Sequence, residues 1–507
     1  MSTTKQYFLT IDNGGTNTKV IIVDDQGKQL SVSSFPTESV ERRPGFREVN
    51  PDHMWQDIGK ASRASIAQAG INPSQISAVA PVGHGKGLYL LDQSGHPFMN
   101  GILSSDSRAT RLTDIFESQV ERIYPISHQH VMAMQFPVLL RWLKENEPDH
   151  YQSIGHVLSN KDFIRFLLTG EVLEEQGDAS GNNLVNLSTQ DYDSRLFDFF
   201  GIPEMQEKMP HLVKATDSCG KITADAAANT GIPEGTPVYA GLFDIDACAL
   251  ATGVLTDDIF SITAGTWNIN VFPSKVPAPV DSGCMDSLFP TGGILVEASS
   301  PTSAGNLDYM VHMATGHAPD FTELESMLSR TDASSSSMLF LPFLYGSNVN
   351  LKAESAFVGL RSSDNTDQFM RSIYEGVAFA HRQHIDQLLQ VLGRKPQVAR
   401  ISGGACNSPL WIQMFADVLN MPIETVNGSE LGGLGGAMCS AVGSGLYTDF
   451  QESFDQMSSL AHRYEPNASQ AAIYDSKYEA YRSTLDSMDA LWAPLRTMQD
   501  TVEKSQA

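Results

Sequence analysis

Three glycine-rich turns in a fixed order constrain this chain more than any other feature. The first reads Asp12-Asn13-Gly14-Gly15-Thr16-Asn17-Thr18-Lys19, between the apolar runs 7–11 and 20–23. The second is Ser261-Ile262-Thr263-Ala264-Gly265-Thr266, and the third Ala399-Arg400-Ile401-Ser402-Gly403-Gly404. In each, a strand runs into a small-residue turn whose backbone N–H groups can approach an oxyanion closely. One such turn says little. Three spaced along one chain point to two similar half-molecules gripping one nucleotide between them.

Length and charge bound the answer further. At 507 residues the chain exceeds one hydrophobic core, and two domains are expected, 1–252 and 253–507, the second ending in a helical tail. The formal charge of −25 argues against nucleic acid or an anionic membrane as partner. An anionic substrate must then be held by local donors and a cation. The five cysteines, Cys219, Cys248, Cys284, Cys406 and Cys439, are odd in number and far apart. They make neither a disulfide framework nor a metal motif, which fits a reduced, cytoplasmic compartment. No apolar run approaches membrane-spanning length, and no signal-type segment opens the chain.

The pattern predicts strands over 8–12 and 20–23, a hairpin turn at 24–27, and a strand over 76–82 running into Gly83-His84-Gly85-Lys86-Gly87. Helical periodicity dominates 106–170. The stretch 174–192 is polar and rich in Asn, Ser and Gly, and reads as a loop facing a cleft. Near 235 the rhythm restarts, with a strand over 237–241, a small-residue helix over 247–253, and strands around Phe260 and Val271 that echo the N-terminal pair. The stretch 466–507 reads as a helix fraying into a polar tail.

Several residues carry candidate chemistry. Asp12 ends a strand beside the first turn and suits a water-mediated Mg²⁺ anchor. Gly14, Gly15, Thr16, Asn17 and Lys19 supply backbone donors, side-chain donors and a cation; a plain hairpin is the equal alternative. Asp244 follows a strand and opens a helix. It can accept a substrate hydroxyl proton, although a helix N-cap is the commoner role for Asp there. Asp246 is the rival, expected on the helix and pointing away. Asp106 and Arg108 pair an acceptor with a forked donor and suit vicinal hydroxyls; a surface ion pair is the plainer reading. His84 and Lys86 lie on a cleft-like loop that by default is solvated. His128-Gln129-His130 and the pair His381/His384 lack a third ligand and read as helix-surface histidines. Gly432-Gly433-Leu434-Gly435-Gly436 reads as close helix packing rather than a nucleotide fingerprint.

At this point the chain resembles the FGGY carbohydrate kinases over nearly its whole length. Ser355-Ala356-Phe357-Val358-Gly359-Leu360 followed by Gln368 to Glu375 is similar to the family's C-terminal signature. So are Asn160 to Gly170, Leu341-Pro342-Phe343-Leu344-Tyr345-Gly346, and Gly403 to Asp417 to three other family segments. The resemblance implies an α/β fold: two actin-like (ribonuclease H-like) domains, each a mixed sheet flanked by helices, around an interdomain cleft. It implies ATP and Mg²⁺ against the Gly-Thr turns and a sugar deep in the first domain. Asp244 matches the catalytic base and a position beside the metal, and Asp12 the Mg²⁺-associated carboxylate. Thr16, Gly265, Thr266, Gly305, Gly404 and Ser408 match nucleotide contacts, with Gly403 adjoining. Asp106 and Arg108 match the substrate segment, in which Ser104 stands where the family has tryptophan.

The Gly85-Lys86-Gly87-Leu88, Ser104-Ser105-Asp106 and Leu242-Phe243-Asp244 patterns are most like the branch acting on L-xylulose and 3-keto-L-gulonate. Lys86 could there pair with a carboxylate or keto oxygen. The function implied is ATP-dependent phosphorylation of a primary hydroxyl on a ketopentose or sugar acid. Other substrates of the family, an actin-like ATPase without a sugar, and a silent sugar sensor are the alternatives. The partners are then a small sugar and ATP; the family is compatible with a homodimer.

Overall fold

The computed structural model describes residues 5–506. Two seven-stranded mixed sheets organise it. The first is centred on Tyr7–Asn13, which pairs antiparallel with Asn17–Asp24 and parallel with Ile76–Gly83. The second is centred on Ile259–Ala264, which pairs antiparallel with Asn268–Ser274 and parallel with Val398–Ser402. Each sheet is thus nucleated by a hairpin closed at a glycine turn, as the sequence predicts. Residues 8–11 and 20–23 are buried without alternation, because helices cover both faces of the sheet.

The helix Pro51–Ala69 covers one face. Asn50 accepts from the Asp52 and His53 N–H groups at its start, and Gly70 ends it at φ 65. The other face is covered from the far half of the chain, by the helix Leu431–Gly443. Its glycines are what admit it. A Cβ at Gly436 would fall 2.5 Å from Thr10, one at Gly433 2.8 Å from Ile21, and one at Gly435 2.2 Å from the Ala247 carbonyl oxygen. These glycines serve packing, as expected. The helix Asp244–Ala251 crosses it, and Arg400 of the second sheet donates to the carbonyls beyond its end, at Thr252 (2.6 Å) and Gly253 (3.0 Å). One apolar cluster accordingly spans both sheets, with Phe8 and Ile21 from the first and Val271 and Leu295 from the second.

Three sequence expectations need correction. The 174–192 stretch is not one loop: it holds the end of a strand, Leu173–Glu175, and a short helix, Gln176–Ser180, and Glu174, Glu175 and Asp178 are at most 2% exposed, with Lys161 beside Glu175 and Asp178. His381 and His384 are buried inside the helix Thr366–Leu392, not on its surface. His381 bonds Ser303 and Asn270, and His384 bonds Ser300. His128 sits past a helix end at φ 52, and His130 bonds Glu117 at 2.7 Å. The last helix, Ala468–Gln506, continues through the stretch expected to fray. Among the described residues no helix is long and apolar enough to cross a membrane, and all five cysteines are free.

Candidate active site

A cavity of about 980 Å³ opens where the two hairpins face each other; Asp12, Gly14, Lys19, Asp244, Gly403 and Gly404 are on its wall. Its volume suits a nucleotide-sized ligand. Asp12 and Lys19 are cross-strand partners. Lys19 reaches on to Glu430 at 2.7 Å, tying the first hairpin to the start of the helix Leu431–Gly443. Burial pushes the Asp12 carboxyl up to about 6, with Lys19 opposing and Glu430 adding to the rise. Gly432 is the point of closest approach: a Cβ there would fall 2.6 Å from Asp12 Oδ2.

The later turns form one group. Gly403 has φ +89, and a Cβ on it would lie 2.7 Å from the Ala264 carbonyl oxygen, so the third turn rests on the second. Ala304 N–H donates to the Gly265 carbonyl at 2.8 Å, and a Cβ at Gly305 would meet the Thr266 methyl at 3.3 Å. Thr16 and Thr266 are exposed at the turn tips. Gly15 has φ +79 and leans on the His84 ring, while Asn17 begins the returning strand. Ser408 departs from its expected role. It is buried, caps the helix Pro409–Leu419 through the Trp411 N–H, and bonds Glu325. Its hydroxyl is committed to structure.

Asp244 is the first residue of its helix, and the cap position belongs to Phe243. The N-cap alternative therefore falls. Its carboxyl is pushed up to about 8 by burial, then by the Asp12 and Asp178 carboxylates, against the Ile245 N–H and Lys86. Asp244 also lines a second, smaller cavity of about 90 Å³ together with His84, Lys86, Ser104, Trp267 and Glu297. The loop reading of His84 and Lys86 as solvated is corrected by their exposures of 4% and 9%. Burial holds His84 down at about 4, so the ring is neutral, and its Nε2 has no partner. Lys86 adopts φ 65, and its ammonium stands 5.8 Å over the Phe243 ring. Gly85 makes room for that ring, which a Cβ would approach to 2.4 Å. Trp267, Glu297 and Ser299 were not singled out from sequence. They come from the second sheet's hairpin and its neighbouring strand, a placement no local pattern reveals.

Asp106 and Arg108 are not a surface pair. Both side chains are buried. Arg108 Nε donates to Asp106 at 2.9 and 3.1 Å, Nη2 reaches Glu48 at 2.8 Å, and the guanidinium lies 4.3 Å over the Phe46 ring. The pair is absent from the walls of both cavities.

Asp246 lies on the helix as expected, but is fully buried with neither oxygen partnered. It abuts Gly177, beside the Asp162, Glu174 and Asp178 carboxylates. That cluster already has a cation: Lys161 Nζ lies 2.6 Å from Asp162 and 3.6 Å from Asp178, and Arg165 also pairs with Asp162. Burial pushes Glu174, Asp178 and Asp246 upward, with Lys161 opposing it in each. The cluster does not need a metal.

Two halves, each built on a glycine-turn hairpin and sharing a carboxylate-bearing cleft, have the plan of a phosphotransferase of the actin-like type. The chain belongs to the FGGY family of carbohydrate kinases: the N-terminal domain of that family matches residues 7–251 and the C-terminal domain residues 260–444. It is 32% identical over 502 residues to the L-xylulose/3-keto-L-gulonate kinase of Escherichia coli (strain K12), covering 97% of this chain and 99% of that one. It is 34% identical to a probable L-xylulose kinase of Pasteurella multocida (strain Pm70), covering 96% and 99%. The fold matches a ligand-bound xylulose kinase from Lactobacillus acidophilus with a TM-score of 0.88 at 21% identity, covering 97% of this chain and 100% of that one. The protein is thus a carbohydrate kinase with an alcohol group as acceptor, and ATP is the donor such kinases use.

Proposed function

We propose that this kinase phosphorylates a primary hydroxyl of a ketopentose or sugar acid, L-xylulose or 3-keto-L-gulonate, with Asp244 as general base. The observation that carries the reading is the position of Asp244 on the wall of both cavities. A donor in the larger one and an acceptor in the smaller would meet at its carboxylate. The relatives' names point to the same two substrates. The first half, 1–252, would bind the sugar, and the second, 253–507, most of the nucleotide, in a cytoplasmic enzyme.

In this reading the sugar hydroxyl donates to Asp244, which orients it and takes its proton as the phosphoryl group arrives. The elevated value of Asp244 makes it a better base than an exposed carboxylate. The backbone N–H groups around Gly14, Gly265 and Gly403 offer fixed donors to phosphate oxygens. Asp12 and Asp244 are hard oxygen ligands whose burial leaves positive charge wanting, and the pair fits Mg²⁺. When bound, that ion neutralises charge on the β- and γ-phosphates. His84, neutral, and Lys86 would hold sugar oxygens, and enclosure between the halves would exclude competing water. Asp244→Asn tests the assignment. The expected result is a kcat lower by about 10²–10⁴-fold with the sugar KM little changed. Turnover like wild type would overturn it.

A further inference from the structure

The smaller cavity takes part of its wall from the second half, through Trp267, Ile269, Glu297 and Ser299. Glu297 and Ser299 point the same way along the strand Ile294–Ser300. The Ser299 hydroxyl donates to Glu297 Oε1 at 2.5 Å. This fixes the carboxylate, while Oε2 has no partner among the described residues. His84 Nε2, on the first-half wall, is buried and without a partner among the described residues, whereas Glu297, 9% exposed, keeps its Oε2 open to the cavity. Two unmatched polar atoms from opposite halves call for a ligand that can donate and accept, which a polyhydroxy chain does at every carbon. The walls also differ in charge. Lys86 brings an ammonium with no ion-pair partner among the described residues from the first half, and Glu297 a carboxylate from the second.

We propose that Glu297 is a substrate-binding residue supplied by the second half. Its Oε2 accepts a hydrogen bond from a hydroxyl of the sugar, Ser299 holds it in place, and its charge turns any sugar carboxylate toward Lys86. The acceptor hydroxyl is thereby left facing Asp244. The cavity, at about 90 Å³, is smaller than the roughly 300–1,000 Å³ of ordinary small-molecule sites.

This inference rests on the kinase reading above, and the test separates the two. Steady-state rates are measured for wild type, Glu297→Gln, Glu297→Ala and Ser299→Ala, varying L-xylulose or 3-keto-L-gulonate and ATP in turn, with thermal unfolding of each variant. The expected result is a kcat/KM for the sugar lower by about ten- to a hundredfold in the Glu297 variants. The loss is carried by the sugar KM and is smaller in Ser299→Ala, with the ATP KM unchanged because Glu297 is outside the larger cavity. A sugar KM like wild type in folded Glu297 variants overturns the proposal and leaves the kinase reading standing. So does a parallel rise in both KM values, which marks a general structural effect. Wild type without sugar-dependent ADP release overturns the kinase reading and this proposal with it.

Discussion

The two glycine-turn hairpins share a backbone plan and differ in chemistry. In the first, the pair next to the turn-closing one is Asp12 opposite Lys19; in the second it is Thr263 opposite Ile269. All four residues line the larger cavity. The parallel strand beside each hairpin also ends in a glycine loop, Gly83 to Gly87 in one half and Gly403-Gly404 in the other. The first of these loops carries His84 and Lys86 into the small cavity, and the second borders the large one. Duplicated backbone geometry provides two glycine turns, which the proposed function assigns to phosphate oxygens. The charges that would do chemistry, Asp12, Lys19 and Asp244, all lie in the first half. The comparison teaches that the fold supplies symmetry and the side chains break it; in the proposed reading one half takes the sugar and the acid–base work and the other most of the nucleotide.

Substitution at matched positions breaks the comparison most directly. Asp12→Asn should lower kcat/KM by about a hundredfold or more and raise the Mg²⁺ concentration for half-activity, whereas Thr263→Val should cost less than about fivefold. Equal losses would contradict the asymmetry. The glycines differ in a similar way. Gly403→Ala sets a Cβ at positive φ, 2.7 Å from the Ala264 carbonyl. It should cost about 1–3 kcal/mol in stability and raise the ATP KM. Gly14→Ala meets nothing within 4 Å and should stay within about 0.5 kcal/mol of wild type. Lys86→Met should change the ratio of kcat/KM on 3-keto-L-gulonate to that on L-xylulose by about tenfold, in favour of the neutral sugar. An unchanged ratio removes Lys86 from carboxylate recognition.

The smallest effect concerns pH. The folded-state value of Asp244, about 8, lies above its ordinary 3.8. Between those values the folded protein binds more protons than the unfolded chain, so this group's contribution to stability falls as pH rises through the window. Asp244→Asn removes that fall. Without ligands, its Tm relative to wild type should climb by about 2–4 °C between roughly pH 5 and pH 8. A constant difference would place the Asp244 carboxyl near its ordinary value.

Much of this architecture is legible in the sequence because its signals are local. A strand, a glycine turn and a returning strand are contiguous in the chain, so both hairpins stand out, and Asp244 is conspicuous at a strand-to-helix junction. The glycines of 432–436 likewise signal packing by their spacing alone. What escaped depends on distant partners. The polar run 174–192 looks like a loop until Lys161 is brought beside its carboxylates. His381 and His384 look exposed until Asn270, Ser300 and Ser303 reach them from the second half's strand and turn. Ser408 resembles a nucleotide contact until Glu325 occupies its hydroxyl. Trp267 and Glu297 reach the small cavity only because the second half closes over the first. Glu375, the acidic end of the family signature, is explained by packing: it is buried and pairs with Arg371 at 2.9 Å and Lys477 at 2.7 Å.

The measurement that tests the central claim most directly is ADP release from Mg-ATP by wild type against a panel of acceptors. The panel comprises L-xylulose, 3-keto-L-gulonate, D-xylulose, L-ribulose, D-ribulose, L-fuculose, glycerol and erythritol. The account predicts sugar-dependent release with kcat/KM for L-xylulose or 3-keto-L-gulonate well above all the others. Release of equal rate with and without sugar, or a maximum on glycerol or erythritol, would contradict it.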